Sequence, residues 1–171
     1  GPQVPDGVVI PFGTFRRLLD QPLEPGGPSV FRWLQQQYAN LAKLSAKPAQ
    51  QKQATAKLLA RMRRWAETVE AGEAFRTQLH DALAKLVPGV GGVFVRSDTN
   101  VEDLAGFTGA GLNLTVSNAV GEKAVMSAIR EVWASPFSDR SYAWRQSLME
   151  QPEYVFPAVL LQSAFPSEKS G

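Results

Sequence analysis

The chain has 171 residues, 44% of them hydrophobic and 9% aromatic, with a net charge of +2. This composition fits one globular domain able to bury a core and excludes an intrinsically disordered chain. Cysteine is absent, which excludes a disulfide framework and a thiolate metal site; no stretch nears the roughly 18 uninterrupted apolar residues of a membrane span, so no membrane partner is expected.

In chain order, Val8 to Ile10 reads as a short strand and is followed by a helix from about Thr14, as N-cap, to Leu19. Pro22 to Pro28 is a proline- and glycine-rich loop, and Ser29 is placed to cap the next helix. Residues 30–44 set Phe31, Leu34, Tyr38, Leu41 and Leu44 at helical spacing, with Pro48 marking the break. Residues 50–71 place Leu58, Met62, Trp65 and Val69 on one side, flanked by Leu59 and Ala66, while Lys57, Arg61 and Arg64 take the other. Gly72 interrupts this pattern, and Phe75, Leu79, Leu83 and Leu86 resume it until Pro88-Gly89. Val93 to Val95 is an apolar strand and Leu112 to Val116 a second candidate. A helix at 121–134 turns Val125, Ile129, Val132 and Trp133 inward, and Pro136 separates it from another at 139–149. Tyr154 to Phe165 suits a buried strand whose first part, at Pro157, lies at an edge or outside the ladder. These elements predict an α+β domain, rich in helix, with a small mixed or antiparallel sheet.

Charge is unevenly spread. No acidic residue falls between Glu24 and Glu67, an interval that holds Arg32, Lys43, Lys47, Lys52, Lys57, Arg61, Arg63 and Arg64. The helical middle, at about 28–87, is therefore basic, and two readings stay open for it. One is a solvated helix face; the other is a non-catalytic docking module that binds a polyanion or a partner domain through Lys57, Arg61 and Arg64.

The densest chemistry runs from Val93 to Val116. Arg96 is expected to emerge at a strand end with its guanidinium fork directed into the following loop, where Ser97, Asp98, Thr99 and Asn100 offer short hydrogen-bonding side chains. Gly106, Gly109 and Gly111 allow close backbone approach to a bulky anion. Spacing alone leaves open that Arg96 only pairs with a carboxylate such as Glu102 or Asp103.

Val95-Arg-Ser-Asp-Thr-Asn-Val-Glu-Asp-Leu104, followed by Gly109-Ala-Gly111 and Thr115-Val116, resembles the VRSSATxEDL…AGxxxT signature of the pyruvate phosphate dikinase, phosphoenolpyruvate synthase and glucan water dikinase family. Val4 to Ile10 resembles the family's VPxGFxI strand, Ala128 to Ser135 with Tyr142 and Arg145 resembles AIxxVWAS…AxxYR, and Ala158 to Gly171 resembles AVxVQxMVxAxxSG. Residues 21–90 match weakly. The resemblance implies a divergent ATP-grasp-like nucleotide-binding domain, of which residues 1–171 form an amino-terminal portion, in a cytoplasmic parent enzyme. It implies that Arg96 contacts ATP phosphates and is the catalytic residue here. Ser97, Asp98 and Thr99 would cradle phosphate, and the loop carrying Gly109 and Gly111, with Thr115, would cover it. Asp98 stands where that signature usually has Ser or Gly, and Leu114 where Glu or Asp often precedes the Thr. Magnesium is the implied cofactor, with its carboxylate ligands expected in a second half and none in this chain. In such enzymes phosphate passes from ATP through a histidine, on a separate domain of the parent chain, to an acceptor such as pyruvate. His80 is the sole histidine and carries none of that domain's surrounding motif, so a structural or solvent-facing role is expected for it.

Overall fold

The structure, a computed structural model, describes residues 7–89, 91–99 and 113–164. Its elements are β1 (Gly7–Ile10), α1 (Phe12–Leu18), α2 (Val30–Ala42), α3 (Pro48–Thr68), α4 (Glu73–Leu86), β2 (Gly92–Thr99), β3 (Thr115–Val120), α5 (Glu122–Ala134), α6 (Asp139–Leu148) and β4 (Pro157–Ser163), with single 3-10 turns at Ser135–Phe137 and Pro152–Tyr154. The four strands form one sheet in the order β1-β4-β2-β3, and every neighbouring pair is antiparallel. The fold is thus α+β, as the sequence implies, and its sheet is antiparallel rather than mixed.

Local chemistry explains most helix boundaries. Ser29 caps α2, its Oγ accepting from the Arg32 amide at 3.2 Å, and Ser138 caps α6 in the same way through the Ser141 amide at 3.1 Å. Pro48 opens α3 at a first-turn position, where a missing N–H removes nothing the helix uses. Helix α1 differs from the expected start: Pro11 is its N-cap, and Thr14 lies inside the first turn, its amide donating to the Pro11 carbonyl.

The helices cover one face of the sheet. Val93, Val95, Val159 and Leu161 point into that layer and are buried with Val125, Ile129, Val132 and Trp133 of α5 and Leu58, Leu59, Met62 and Ala66 of α3. The inward positions read from helical spacing hold, except that Trp65, Phe75 and Leu83 are half-buried at the rim of the core and Leu44, past the end of α2, is half-buried outside it. Trp65 meets Phe15 edge-on at 6.2 Å.

Strand lengths depart from expectation. β2 runs through Ser97, Asp98 and Thr99, so Arg96 lies mid-strand, and the three residues read as a turn are paired with Val159, Ala158 and Pro157 of β4. Pairing with a central strand overrides the turn preference of short polar side chains. β3 starts at Thr115, later than the Leu112 expected. Its register with β2 shifts between Val93 and Val95; in this interval Asn118 takes a φ of 55°, a left-handed conformation asparagine tolerates. A Cβ at Gly92 would lie 2.0 Å from Asn118 Oδ1, which is why glycine faces this irregularity. Tyr154 to Phe156 precede the ladder, and Pro157 is the first residue of β4, as the proline restriction predicts.

Candidate functional site

Among the described residues, no helix covers the other face of the sheet. Registers place Val9 opposite Leu160, Leu160 opposite Arg96 and Arg96 opposite Thr115, so these four side chains form one row across all four strands. Val9 remains 63% exposed and Phe94 38%. Asp98 lies two residues beyond Arg96 on the same face, opposite Ala158, while Gln162 stands opposite Phe94. A cleft of about 340 Å³ is lined by Val9, Arg96, Asp98, Asn113, Thr115 and Leu160, with Ser97, Ala158 and Val159 at its floor. One side of this surface is apolar, through Val9, Leu160 and Phe94; the other is polar, through Arg96, Asp98, Asn113 and Thr115.

Arg96 is exposed, and its Nη1 approaches Gln162 Oε1 at 3.5 Å; no carboxylate pairs with it among the described residues. Glu102 and Asp103 lie outside the described residues, as do Asn100, Gly106, Gly109 and Gly111. Ser97 faces the helices and is buried. Its Oγ accepts from the Leu114 amide at 2.6 Å and its own amide donates to the Leu114 carbonyl at 2.8 Å, so the hydroxyl fixes the approach to Thr115 from below. Asp98 Oδ1 and Thr99 Oγ1 are buried without a hydrogen-bond partner among the described residues. Of the site residues expected from sequence, the fold therefore gathers Arg96, Asp98 and Thr115 on the open face and sets Ser97 beneath them. Gln162 was not singled out. Its signal was the strict alternation of β4, which puts residues 158, 160 and 162 on Arg96's side of the sheet.

A larger cleft, of about 540 Å³, lies between α3 and α6 and is lined by Gln51, Lys52, Thr55, Asp139, Tyr142 and Gln146. None of the described residues between Arg96 and Thr115 lines it, and Tyr142 is the residue of the AxxYR-like segment that does. The basic stripe on α3 is thinner than its composition suggests. Arg61 pairs with Glu24 at 2.8 Å and lies over the Trp33 ring at 5.1 Å, and Arg63 donates to the Phe137 carbonyl at 2.7 Å. Lys52, Lys57 and Arg64 are left as the exposed cations of α3 without an ion pair among the described residues.

His80 is exposed on α4, where its Nδ1 lies 2.9 Å from Glu122 Oε2 at the start of α5. The hydrogen bond to Glu122, with that carboxylate's charge and a smaller contribution from Asp81, holds its pKa above the ordinary value. Since the folded pKa is raised, whatever stability the pair adds is complete below the ordinary histidine pKa and is lost as pH rises through the raised one. An NMR titration should give His80 a midpoint above that of an unperturbed histidine, and Glu122→Gln should move it back down; a midpoint insensitive to that change would refute the pairing.

The cleft on this face of the antiparallel sheet is apolar at Val9 and Leu160 and polar at Arg96, Asp98, Asn113 and Thr115. The chain belongs to the pyruvate phosphate dikinase AMP/ATP-binding domain family, which matches residues 2–171. It is 36% identical over 100 residues, 56% of its length, to the phosphoenolpyruvate synthase of Aeropyrum pernix. It is 38% identical over 79 residues, 46% of its length, to the probable phosphoenolpyruvate synthase of Archaeoglobus fulgidus. Over all 171 residues it is 28% identical to the rifampicin phosphotransferase of Streptomyces sviceus. The matched segments make up 12%, 10% and 18% of those proteins, so the chain corresponds to a small part of each. Among the described residues no helix is long and apolar enough to cross a membrane.

Proposed function

We propose that this chain holds the phosphates of ATP for a larger phosphotransferase, with Arg96 as the charge-assisted clamp. The observation that carries the reading is Arg96 itself, exposed in the middle of a sheet face with one hydrogen bond, to the Gln162 carboxamide, among the described residues. Phosphoryl transfer asks a protein chiefly to position oxygens and to stabilise their charge. A guanidinium does both, because its fork binds two phosphate oxygens at once. Gln162 steadies that fork from the neighbouring strand, and Thr115, next to it in the register, offers a hydroxyl to the same oxygens. Ser97 acts through Leu114 by fixing where β3 begins. The apolar row of Val9 and Leu160, with Phe94, is fitted to the flat base. The loop carrying Gly109 and Gly111 is assigned the backbone amides that close over the phosphates. Magnesium, when bound with the nucleotide, supplies further neutralisation of phosphate charge. In the parent enzyme phosphate would leave ATP for a histidine on another domain and pass on to an acceptor such as pyruvate.

The competing reading, a polyanion-docking module, is favoured by the exposed cations Lys57 and Arg64. Titration with ATP and, separately, with heparin at rising salt decides between them. Under the ATP reading, nucleotide shifts the NMR signals of Phe94, Arg96, Thr115 and Gln162, and Lys57→Glu with Arg64→Glu leaves ATP affinity unchanged. Heparin binding that falls steeply with salt and disappears in those two variants, with no response to ATP, would establish docking instead.

A further inference from the structure

We propose that the cleft between α3 and α6 binds a small organic carboxylate, at a site separate from the sheet face that carries Arg96. Two helix faces make this cleft. Gln51, Lys52, Thr55 and Leu59 recur at helical spacing on α3, and Asp139, Tyr142 and Gln146 do so on α6. Together they enclose about 540 Å³, within the size range of small-molecule sites. Both helices belong to the layer on the other side of the sheet from Arg96, so the inference stands whether or not that residue holds phosphate.

The charges around the cleft select the sign of the ligand. Lys52 is exposed and has no ion pair among the described residues. Over the Tyr142 ring, 5.7 Å from its centre, lies the guanidinium of Arg145, which is buried and has no carboxylate within ion-pair distance among the described residues. Its hydrogen bonds go to neutral acceptors, the Pro136 carbonyl and the Ser141 and Tyr38 hydroxyls, and its Nε is buried without a partner. A buried cation with no counter-charge is costly, and in low-dielectric surroundings its field reaches the cleft through the ring that forms one wall. Asp139 is the carboxylate that lines the cleft, but it is 88% exposed and faces Arg63 at 4.0 Å, so it offsets little of this charge. The cleft is cationic on balance and suits an anion.

Hydrogen-bonding groups and apolar walls narrow the class. The Gln51 carboxamide donates to the Leu41 carbonyl at 3.0 Å and the Thr55 hydroxyl to the Gln51 carbonyl at 2.8 Å, so both are engaged within the protein. Lys52 and the Gln146 carboxamide, both exposed, are the donors that face the cleft from its two walls. One ammonium and one amide match the two oxygens of a carboxylate. No guanidinium fork lines the cleft, which is the group best shaped for phosphate. Pro48, Ala56 and Leu59 line the remainder and, with the Tyr142 ring, offer an apolar surface to the body of the ligand.

The test uses the full-length protein that carries this chain, with hexanoate as the probe and hydrogen–deuterium exchange read by mass spectrometry at constant ionic strength. Hexanoate should protect the peptides that span residues 48–59 and 139–146 in a saturable way. It should bind more tightly than acetate, by up to about fourfold for each methylene buried. Lys52→Met, which keeps most of the stem and removes the charge, should weaken hexanoate roughly tenfold, as loss of a hydrogen bond between charged groups predicts. Arg96→Ala should leave hexanoate affinity unchanged. Equal protection by hexan-1-ol would overturn the proposal, since the cleft would then read only an apolar body, and equal protection by hexylammonium would overturn it in favour of Asp139 as the recognising group. Absence of protection at millimolar hexanoate, or full affinity in Lys52→Met, would overturn it as well. Loss of binding in Arg96→Ala would place the anion on the sheet face instead.

Discussion

Arg96→Ala is expected to weaken ATP binding and nearly abolish phosphoryl transfer in the full-length protein while leaving the fold intact. The two halves of that expectation have separate causes. The fold is spared because Arg96 is exposed and makes one hydrogen bond, of 3.5 Å to Gln162, among the described residues, so no buried structural partner is orphaned. The activity is lost because the guanidinium is the cation that the sheet presents beside Thr115, and a preorganised donor aimed at developing charge is worth about 2–4 kcal/mol. Arg96→Lys should recover only part, since an ammonium lacks the bidentate fork. Gln162→Ala should produce a smaller loss of affinity, as a residue that steadies the fork rather than supplying charge. Steady-state kinetics and thermal melts check all three. Wild-type turnover in Arg96→Ala, or unfolding of that variant, would show that the clamp is misassigned.

Arg145→Ala is expected to do the reverse, destabilising the protein by about 3–5 kcal/mol, a large part of the ordinary stability of a domain, without a specific effect on nucleotide affinity in whatever fraction remains folded. Arg145 is 1% exposed. Its Nη1 donates to the Pro136 carbonyl and to Ser141 Oγ at 3.0 Å, and its Nη2 reaches the Tyr38 hydroxyl at 3.4 Å. The cation also lies 5.7 Å from the centre of the Tyr142 ring. Truncation would leave a void and several buried polar groups without their donor. Arg145→Lys restores a charge but cannot span from Pro136 to Tyr38, so it should recover little. Denaturant titration gives the number directly, and a change under about 0.5 kcal/mol would mean that water replaces the guanidinium without loss. The cleft residues Arg96 and Asp98 lie on the far side of the sheet from the helical layer, which is why stability and binding should separate so cleanly between Arg145 and Arg96.

Helical periodicity carried the layered half of the molecule. Leu34, Leu41, Leu58, Met62, Leu79, Val125, Ile129 and Trp133 are all buried, because an amphipathic helix has one solution for its apolar face whatever it packs against. Ser29 and Pro157 were legible for similarly local reasons, a side-chain cap and a missing N–H. The signature around Arg96 was legible too, since an arginine after an apolar run and before glycine-rich loops is a local pattern.

The open face was not local. Val9 and Leu160 join Arg96 only because β4 inserts between β1 and β2, and Gln162 reaches the guanidinium by the same route. Ser97, Asp98 and Thr99 look like a turn in sequence, yet β4 pairs with each of them, and backbone hydrogen bonds to a central strand outweigh a turn preference. Arg61 and Arg63 look like solvated charges on α3, but Glu24 and the Phe137 carbonyl, both far away in sequence, take them up. What the sequence by itself determined are features fixed by neighbours along the chain: most helix faces, the Ser29 cap, and the run whose likeness marks the family. Only the tertiary structure decided which strand lies beside which, and thereby which side of β2 meets solvent. Strand alternation fixes two faces but does not say which one the helices will cover.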